Sequence, residues 1–399
     1  MVCVSSPVPK VTTSCRTRFH IFDQARELHR RGYLHHLVTD MPRFLTRRWG
    51  IPDDKVLSLL WSGVWGRCLQ KAAQGVGPRI RDSCLRFIHN AFSSGLARNI
   101  PSETEVLITL SSFGLHAIER ARSLGICTVV DHGSLHQRVE RRLIQEEAKL
   151  WGLAEENVSL TPDWIIAKED REFSICDRIM VLSEAARRSM LATGIKAERV
   201  FVNPCGVDLQ LFHPVPKDDK AFRVIQCSGL TLGKGFLYLM KAFRELNLPE
   251  AELWFIGAAA PSAGLGALAQ SLHHPRIFFK GAIPHGELHR HFSQGSVFVL
   301  PSIADGFGMV VPQAMACGLP VIVSENVGAA DLVSEGDNGY VVPIRDVEAL
   351  KRKILELYDH REKLERLSRK ALEDARLLSW ERYGERLCRF LYEVHRNHP

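Results

Sequence analysis

Two patterns of apolar residues alternate along this chain. Short runs of β-branched and aliphatic residues, bounded by glycine, proline, asparagine or aspartate, give way to longer stretches in which apolar positions return every three or four residues. That alternation marks βαβ units on a parallel sheet, so the fold class is α/β. The runs Val2–Ser5, Leu34–Thr39, Val106–Leu110, Thr128–Asp131, Arg178–Leu182 and Val200–Asn203 predict one sheet, complete by about residue 203. A second series, Phe222–Ser228, Glu252–Ile256, Ile277–Lys280, Val297–Pro301, Pro320–Val323 and Gly339–Val342, predicts another. Between them Asn203-Pro204-Cys205-Gly206-Val207-Asp208 is rich in turn formers, and Phe212 to Lys220 is polar with prolines that cannot continue an element. The expected units are therefore residues 1–203, residues 204–375 and a closing amphipathic helix within 376–399, which opens at Trp380.

A length of 399 residues suits two domains that each bury a core. With 45% hydrophobic and 24% charged residues the composition is that of a globular protein, and no window approaches the roughly 20 apolar residues of a membrane span. The N-terminus lacks a basic segment followed by a long apolar core, so the expected location is the cytoplasm. Ten cysteines include no C-x-x-C pair and no zinc spacing with the histidines, which predicts reduced, mostly buried thiols. The net charge of +7 changes the picture more, because it lies entirely in the first part. Residues 1–150 hold 22 Lys+Arg against 13 Asp+Glu, whereas the remainder is slightly acidic. A basic half suits an anionic membrane surface, a phosphorylated or acidic acceptor, or nucleic acid, with a solvated face as the plain alternative.

The most specific stretch runs from Pro301-Ser302-Ile303-Ala304-Asp305-Gly306-Phe307-Gly308-Met309 through Gln313 to Gly318-Leu319-Pro320. It reads as strand end, glycine loop, helix, glycine stop and next strand. Gly306 and Gly308 let a backbone approach a ligand, and the following helix N-terminus offers N–H groups to phosphate. Asp305 can accept hydrogen bonds from a sugar hydroxyl, and Gln313 falls at the carboxyl end of the sheet, where open α/β folds bind ligands. A second loop, Cys227-Ser228-Gly229-Leu230-Thr231-Leu232-Gly233-Lys234-Gly235, again joins a strand to a helix and carries one cation.

These stretches resemble the donor motifs of the family-four retaining glycosyltransferases, a group of GT-B enzymes. The resemblance continues through Asn203 to Phe212, through Phe279-Lys280-Gly281-Ala282-Ile283-Pro284, and through Ser324 to Asn338-Gly339. It implies two facing Rossmann-like domains, an acceptor-binding one first and a donor-binding one second. It further implies a nucleotide-sugar donor (UDP, GDP or ADP), a glycan or lipid-linked acceptor, no nucleic acid, no metal and no cofactor beyond the donor itself. Lys234 then faces the departing diphosphate with Gly229 and the Gly306, Phe307, Gly308 and Met309 segment, Asp305 meets the donor sugar, Gln313 the ribose and Ile283 the base. His132, in Val129-Val130-Asp131-His132-Gly133, matches a histidine placed beside the donor sugar, with His136 as fallback.

The chain departs from the family pattern at three positions. The paired acids are Asp305 and Gln313 rather than two glutamates, and an arginine five residues before the lysine is replaced by Gly229. A non-catalytic binding protein of the same fold and a nucleotide-sugar hydrolase or epimerase are the competing readings; the latter needs further acids in the cleft. Glu169, Asp170 and Glu172 precede a strand and read as a solvated face or as such acids. Between Phe44 and Leu96, apolar Trp61 and Trp65 stand before Arg67, Lys71, Arg79, Arg81 and Arg86. These are either an interfacial element on anionic membrane at its inner face, or core tryptophans with a solvated basic rim.

Overall fold

The computed structural model describes residues 8–72, 77–155, 158–258 and 262–398. The first sheet contains β1 (Val11–Ser14), β2 (Leu34–Thr39), β3 (Val56–Ser58), β4 (Val106–Leu110), β5 (Cys127–His132), β6 (Arg178–Val181) and β7 (Val200–Val202), all parallel, in the order β3-β2-β1-β4-β5-β6-β7. The second contains β8 (Phe222–Cys227), β9 (Ala251–Ile256), β10 (Ile277–Gly281), β11 (Val297–Leu300), β12 (Val321–Ser324) and β13 (Gly339–Val342), in the order β10-β9-β8-β11-β12-β13. Each order reverses beside its first strand, between β1 and β4 and between β8 and β11. Crevices open at the carboxyl ends of strands at such switch points. The architecture is therefore the expected pair of Rossmann-like sheets.

The expected strand Val2–Ser5 lies outside the described residues, and the first described strand is the polar run Val11–Ser14. It is fully buried because its hydroxyls are satisfied inside the protein. Thr12 meets the Thr104 hydroxyl at 2.8 Å, Thr13 donates to Gln24 at 2.8 Å, and Ser14 Oγ donates to the Ile108 carbonyl at 3.3 Å. In the second domain the Phe236–Leu246 helix buries Phe236, Leu237, Leu239, Met240 and Phe243 against Phe222, Val224, Leu253 and Phe255. Each such side chain contributes roughly 1.5–3 kcal/mol by leaving water. Left-handed Asn247 ends this helix.

After the Val347–Asp359 and Arg361–Ala375 helices the chain returns to the first domain. The closing Trp380–Arg396 helix lays Tyr383, Leu387 and Leu391 on Phe22, Ala25 and Leu28, and Phe390 stacks on Phe201 with ring centroids 4.1 Å apart. The two crossings run side by side: Val207 N donates to the Leu378 carbonyl at 2.7 Å, and Gly206 lies so close to the Trp380 backbone that no Cβ fits. Seven of the described cysteines are buried without a disulfide, and burial pushes thiols such as Cys176 and Cys227 up to about 12.

Candidate active site

On the second domain, two loops leave the switch point. Ser228 to Gly235 follows β8 and ends in a tight turn, Leu232–Lys234, which Gly235 closes at φ 65 with its Cα against the Pro301 carbonyl. The loop after β11 locks onto it, because the amides of Ile303 and Ala304 donate to the Gly233 carbonyl at 2.8 and 3.3 Å. This double clamp brings Lys234 Nζ within 2.7 Å of Asp305 Oδ2. Both side chains reach solvent, at 30% and 13% exposure, so the pair faces the cleft. The Asp305 backbone is held in turn by Asn326 and Gly328 at 3.1 and 2.9 Å. Gly229 is exposed, and a Cβ there would meet nothing nearer than Thr231 Cγ2 at 4.0 Å.

The glycine loop divides its work differently from expectation. Gly306 is packed against the Gly133–Ser134 backbone of the first domain, where no side chain fits, and its carbonyl accepts Ser183 Oγ at 2.7 Å. Phe307, 2% exposed, plugs the first domain's core beside Cys205 and Trp380. These two residues join the domains instead of facing the cleft. Gly308 adopts φ 78, Met309 remains half-buried, and Gln313 is buried on the Val310–Ala316 helix that follows. Ile283 is half-buried against the second core, two residues before His285, whose charged form is disfavoured by burial and by Arg18.

On the first domain, His132 ends β5 as expected but is turned inward. It is 1% exposed, with Nδ1 2.8 Å from Ser111 Oγ and Nε2 3.1 Å from the Leu135 carbonyl. Burial lowers it to about 4, so it is neutral. The fallback His136 is a helix cap, its Nδ1 accepting from Arg138 N at 3.3 Å. Neither histidine is presented to the cleft. Glu169 and Glu172 are not a solvated face, for both are buried. Glu172 accepts the amides of Ser112 and Gly114 at 2.6 and 2.9 Å and holds Ser112 at φ 66, while Glu169 Oε2 has no hydrogen-bond partner. Burial raises Glu172 to about 7 and Glu169 well above the usual carboxylate range.

A cleft carboxyl that the sequence pattern hid is Glu140, on the Gln137–Leu150 helix. That helix docks on the second domain. Ile144 seats over Gly233, Glu147 accepts Tyr238 Oη at 2.8 Å, and Arg345 pairs with Glu146 and Glu147. Half-buried Glu140 is thereby brought opposite the Lys234–Asp305 pair. Burial raises it to about 7; Lys234 opposes that shift and Asp305 adds to it. Among the described residues, one trio has metal-ligating geometry, Cys127, Asp177 and His398. It lies where β5 begins, at the end of the sheet away from the cleft.

Residues 209–374 match the family described as glycosyl transferases group 1. The matched segment lies in the C-terminal half, over the second sheet and the helices around it. Its strand ends carry the Lys234 loop and the Asp305 loop, so the group 1 segment and the clamp described above coincide. A similar relative is the sulfoquinovosyl transferase SQD2 of Arabidopsis thaliana, 29% identical over 218 residues that cover 51% of this chain and 42% of that protein. Another is a GDP-mannose-dependent monoacylated alpha-(1-6)-phosphatidylinositol monomannoside mannosyltransferase of Corynebacterium glutamicum, 30% identical over 47% of this chain and 55% of that protein. The chain thus spans about half the length of the curated relatives it matches. The whole fold is similar to sucrose-phosphate synthase from Thermosynechococcus elongatus, with a TM-score of 0.70 at 19% identity over 97% of this chain and 99% of that one. It is also similar to Anabaena HepE in complex with UDP and glucose, with a TM-score of 0.66 at 16% identity over 96% and 100%. These likenesses make the fold GT-B.

Proposed function

We propose that the chain transfers a glycosyl group, with retention of configuration and without a metal, from a nucleotide sugar on the second domain to an acceptor on the first. The observation that carries this reading is the Lys234–Asp305 pair, 2.7 Å apart and open to the cleft. A preorganised ammonium stabilises charge on a departing diphosphate where other enzymes use a divalent cation. Lys234 is then free to leave Asp305 for phosphate, and Asp305 to accept from a sugar hydroxyl. The main-chain segment Gly308–Met309 lies beside the diphosphate, Gln313 binds the ribose and Ile283 lines the base site. Gly306 and Phe307 fix the spacing of the domains, and His132 supports the sugar side from beneath. The departing phosphate takes the acceptor proton, while Glu140 accepts a hydrogen bond from the acceptor hydroxyl. Two relatives, a sulfoquinovosyl transferase and a GDP-mannose-dependent mannosyltransferase, support a nucleotide-sugar donor and a glycan or lipid-linked acceptor.

The exposed basic segment of the first domain supports a location on the inner face of an anionic membrane. No described helix is long and apolar enough to cross one.

Thermal shift with UDP-glucose, GDP-mannose and ADP-glucose, with and without EDTA, tests donor binding. A ligand at 100 times its Kd stabilises the folded state by about 2.7 kcal/mol. One donor should raise the melting temperature equally in both conditions. A shift that disappears with EDTA contradicts the metal-free reading, and no shift with any of the three contradicts the donor assignment. Glu140 also keeps hydrolysis in view, since it supplies the cleft acid that such a reaction needs; free sugar as the sole product would select it.

A further inference from the structure

A large cavity lies outside the cleft. It is an open groove of about 1070 Å³ between the Leu60–Ala72 and Pro78–Arg98 helices, lined by Trp61, Trp65, Leu69, Ile80, Phe87 and Ile88 among others. Its mouth exposes large apolar groups. Trp61 is 79% exposed and Trp65 62%, with Ile80 and Phe87 also open to solvent, so the alternative that these tryptophans are core residues is wrong. Such contiguous exposed apolar surface costs solubility unless something covers it.

Charge identifies the occupant. Lys71, Arg79, Arg81 and Arg86 are exposed on the same two helices, whose one described acid, Asp82, is taken by Trp164 Nε1 at 2.6 Å. Aromatic groups at the mouth, cations around it and an aliphatic floor form the combination that binds an anionic amphiphile. A protein partner would meet a cation-rich rim with hardly an acid to pair with. The groove also comes close to the carboxyl end of the first sheet. Gly66, on its wall, abuts the guanidinium of Arg16, which leaves the carboxyl end of β1 and donates to Asp40 at 2.8 Å. The inner end of the groove is therefore at the same edge of the sheet as the candidate active site.

We propose that this groove holds the hydrocarbon chain of an anionic lipid acceptor, whose head group is delivered past Arg16 to the cleft. The proposal rests on the glycosyl-transfer reading and supplies its acceptor class. It is more specific than surface docking, because a single chain enters the protein. Each buried methylene stabilises the complex by about 0.8 kcal/mol, so affinity grows with chain length.

Titration of the full chain with monomeric lysophosphatidylglycerols of increasing chain length, followed by tryptophan emission, provides the test. Expected are saturable binding with a blue shift, tighter for a fourteen-carbon than for an eight-carbon chain by about a thousandfold or more, at roughly 0.8 kcal/mol for each of the six added methylenes. Phe87→Glu with Ile80→Glu should weaken it at least tenfold, whereas Arg79→Glu with Arg81→Glu should weaken it in a salt-dependent way. The donor-induced thermal shift, measured on each variant, checks the fold independently. Absence of binding by the wild type, independence of chain length, or unchanged affinity in the folded Phe87 and Ile80 variant overturns the proposal. So does a second copy of the chain covering the groove in solution. Donor binding with no lipid binding sinks the groove alone, whereas lipid binding with no donor binding sinks the transferase reading.

Discussion

Lys234 and Asp305 hold one another in the absence of donor, and each is the other's nearest opposite charge in the cleft. Lys234→Ala removes the cation that would face the leaving group and should lower kcat by about a hundredfold or more, the usual effect of deleting one preorganised stabiliser. Steady-state kinetics at saturating donor checks it; wild-type turnover would place the charge stabilisation elsewhere. Gly229 invites the opposite change. Its Cβ position is open, so Gly229→Arg should fold normally and add a second cation beside Lys234. A charge-assisted hydrogen bond of about 1.5–3 kcal/mol predicts a KM for donor lower by roughly tenfold or more. An unchanged KM would show that the loop does not face the diphosphate.

Glu140 makes the pH dependence specific. Burial lifts it to about 7, so between the ordinary carboxylate value near 4.5 and 7 the folded state keeps a proton that the unfolded state has lost. Stability from this group therefore falls as pH rises through that window, and Glu140→Gln should remove the fall. Its acceptor role requires the ionised form, so kcat/KM should rise through pH 7 in the wild type and flatten in the variant. Thermal melts and pH–rate profiles measure the two effects separately. A profile unchanged in Glu140→Gln would leave this residue a structural one.

At the scale of elements, eleven of the twelve runs read from the sequence start and end within one residue of the observed strands; the exception is Val2–Ser5, outside the described residues. They were legible because a parallel strand covered on both faces is a continuous apolar run. β1 was not, since Thr12, Thr13 and Ser14 look like loop residues until Thr104, Gln24 and Ile108 are brought beside them. The three-residue β3 carries too little pattern to stand out. The same limit hid Glu140. Gln-Arg-Val-Glu-Arg-Arg reads as a solvated helix face, and only the docking of that helix on Gly233 turns Glu140 toward the cleft. The loop motifs were legible as positions but less so as roles. Gly306 looked like room for a ligand and is room for the other domain. Gly306→Ala should accordingly separate the domains locally, costing both stability and donor turnover, in contrast to substitution at Gly229. Calorimetry that found Gly306→Ala as stable as the wild type would contradict this packing.

For the whole molecule, both chain crossings, at Val207 and Leu378, form one narrow joint, and the closing helix ties the end of the second domain to the first. The Ile144–Gly233 contact and the Glu147, Tyr238 and Arg345 cluster close the cleft on one side, so donor and acceptor meet where Lys234, Asp305 and Glu140 converge. The basic groove stands on the acceptor domain, outside the group 1 segment at 209–374. The most direct measurement of the central claim follows the label of 1-¹³C UDP-glucose, GDP-mannose and ADP-glucose by NMR, with a lipid extract of the source cells as acceptor. The account predicts that the label of one donor moves to a new glycoside with its anomeric configuration unchanged, and that Lys234→Ala nearly abolishes the transfer. An inverted product, free sugar alone, or no movement of label from any donor would contradict it.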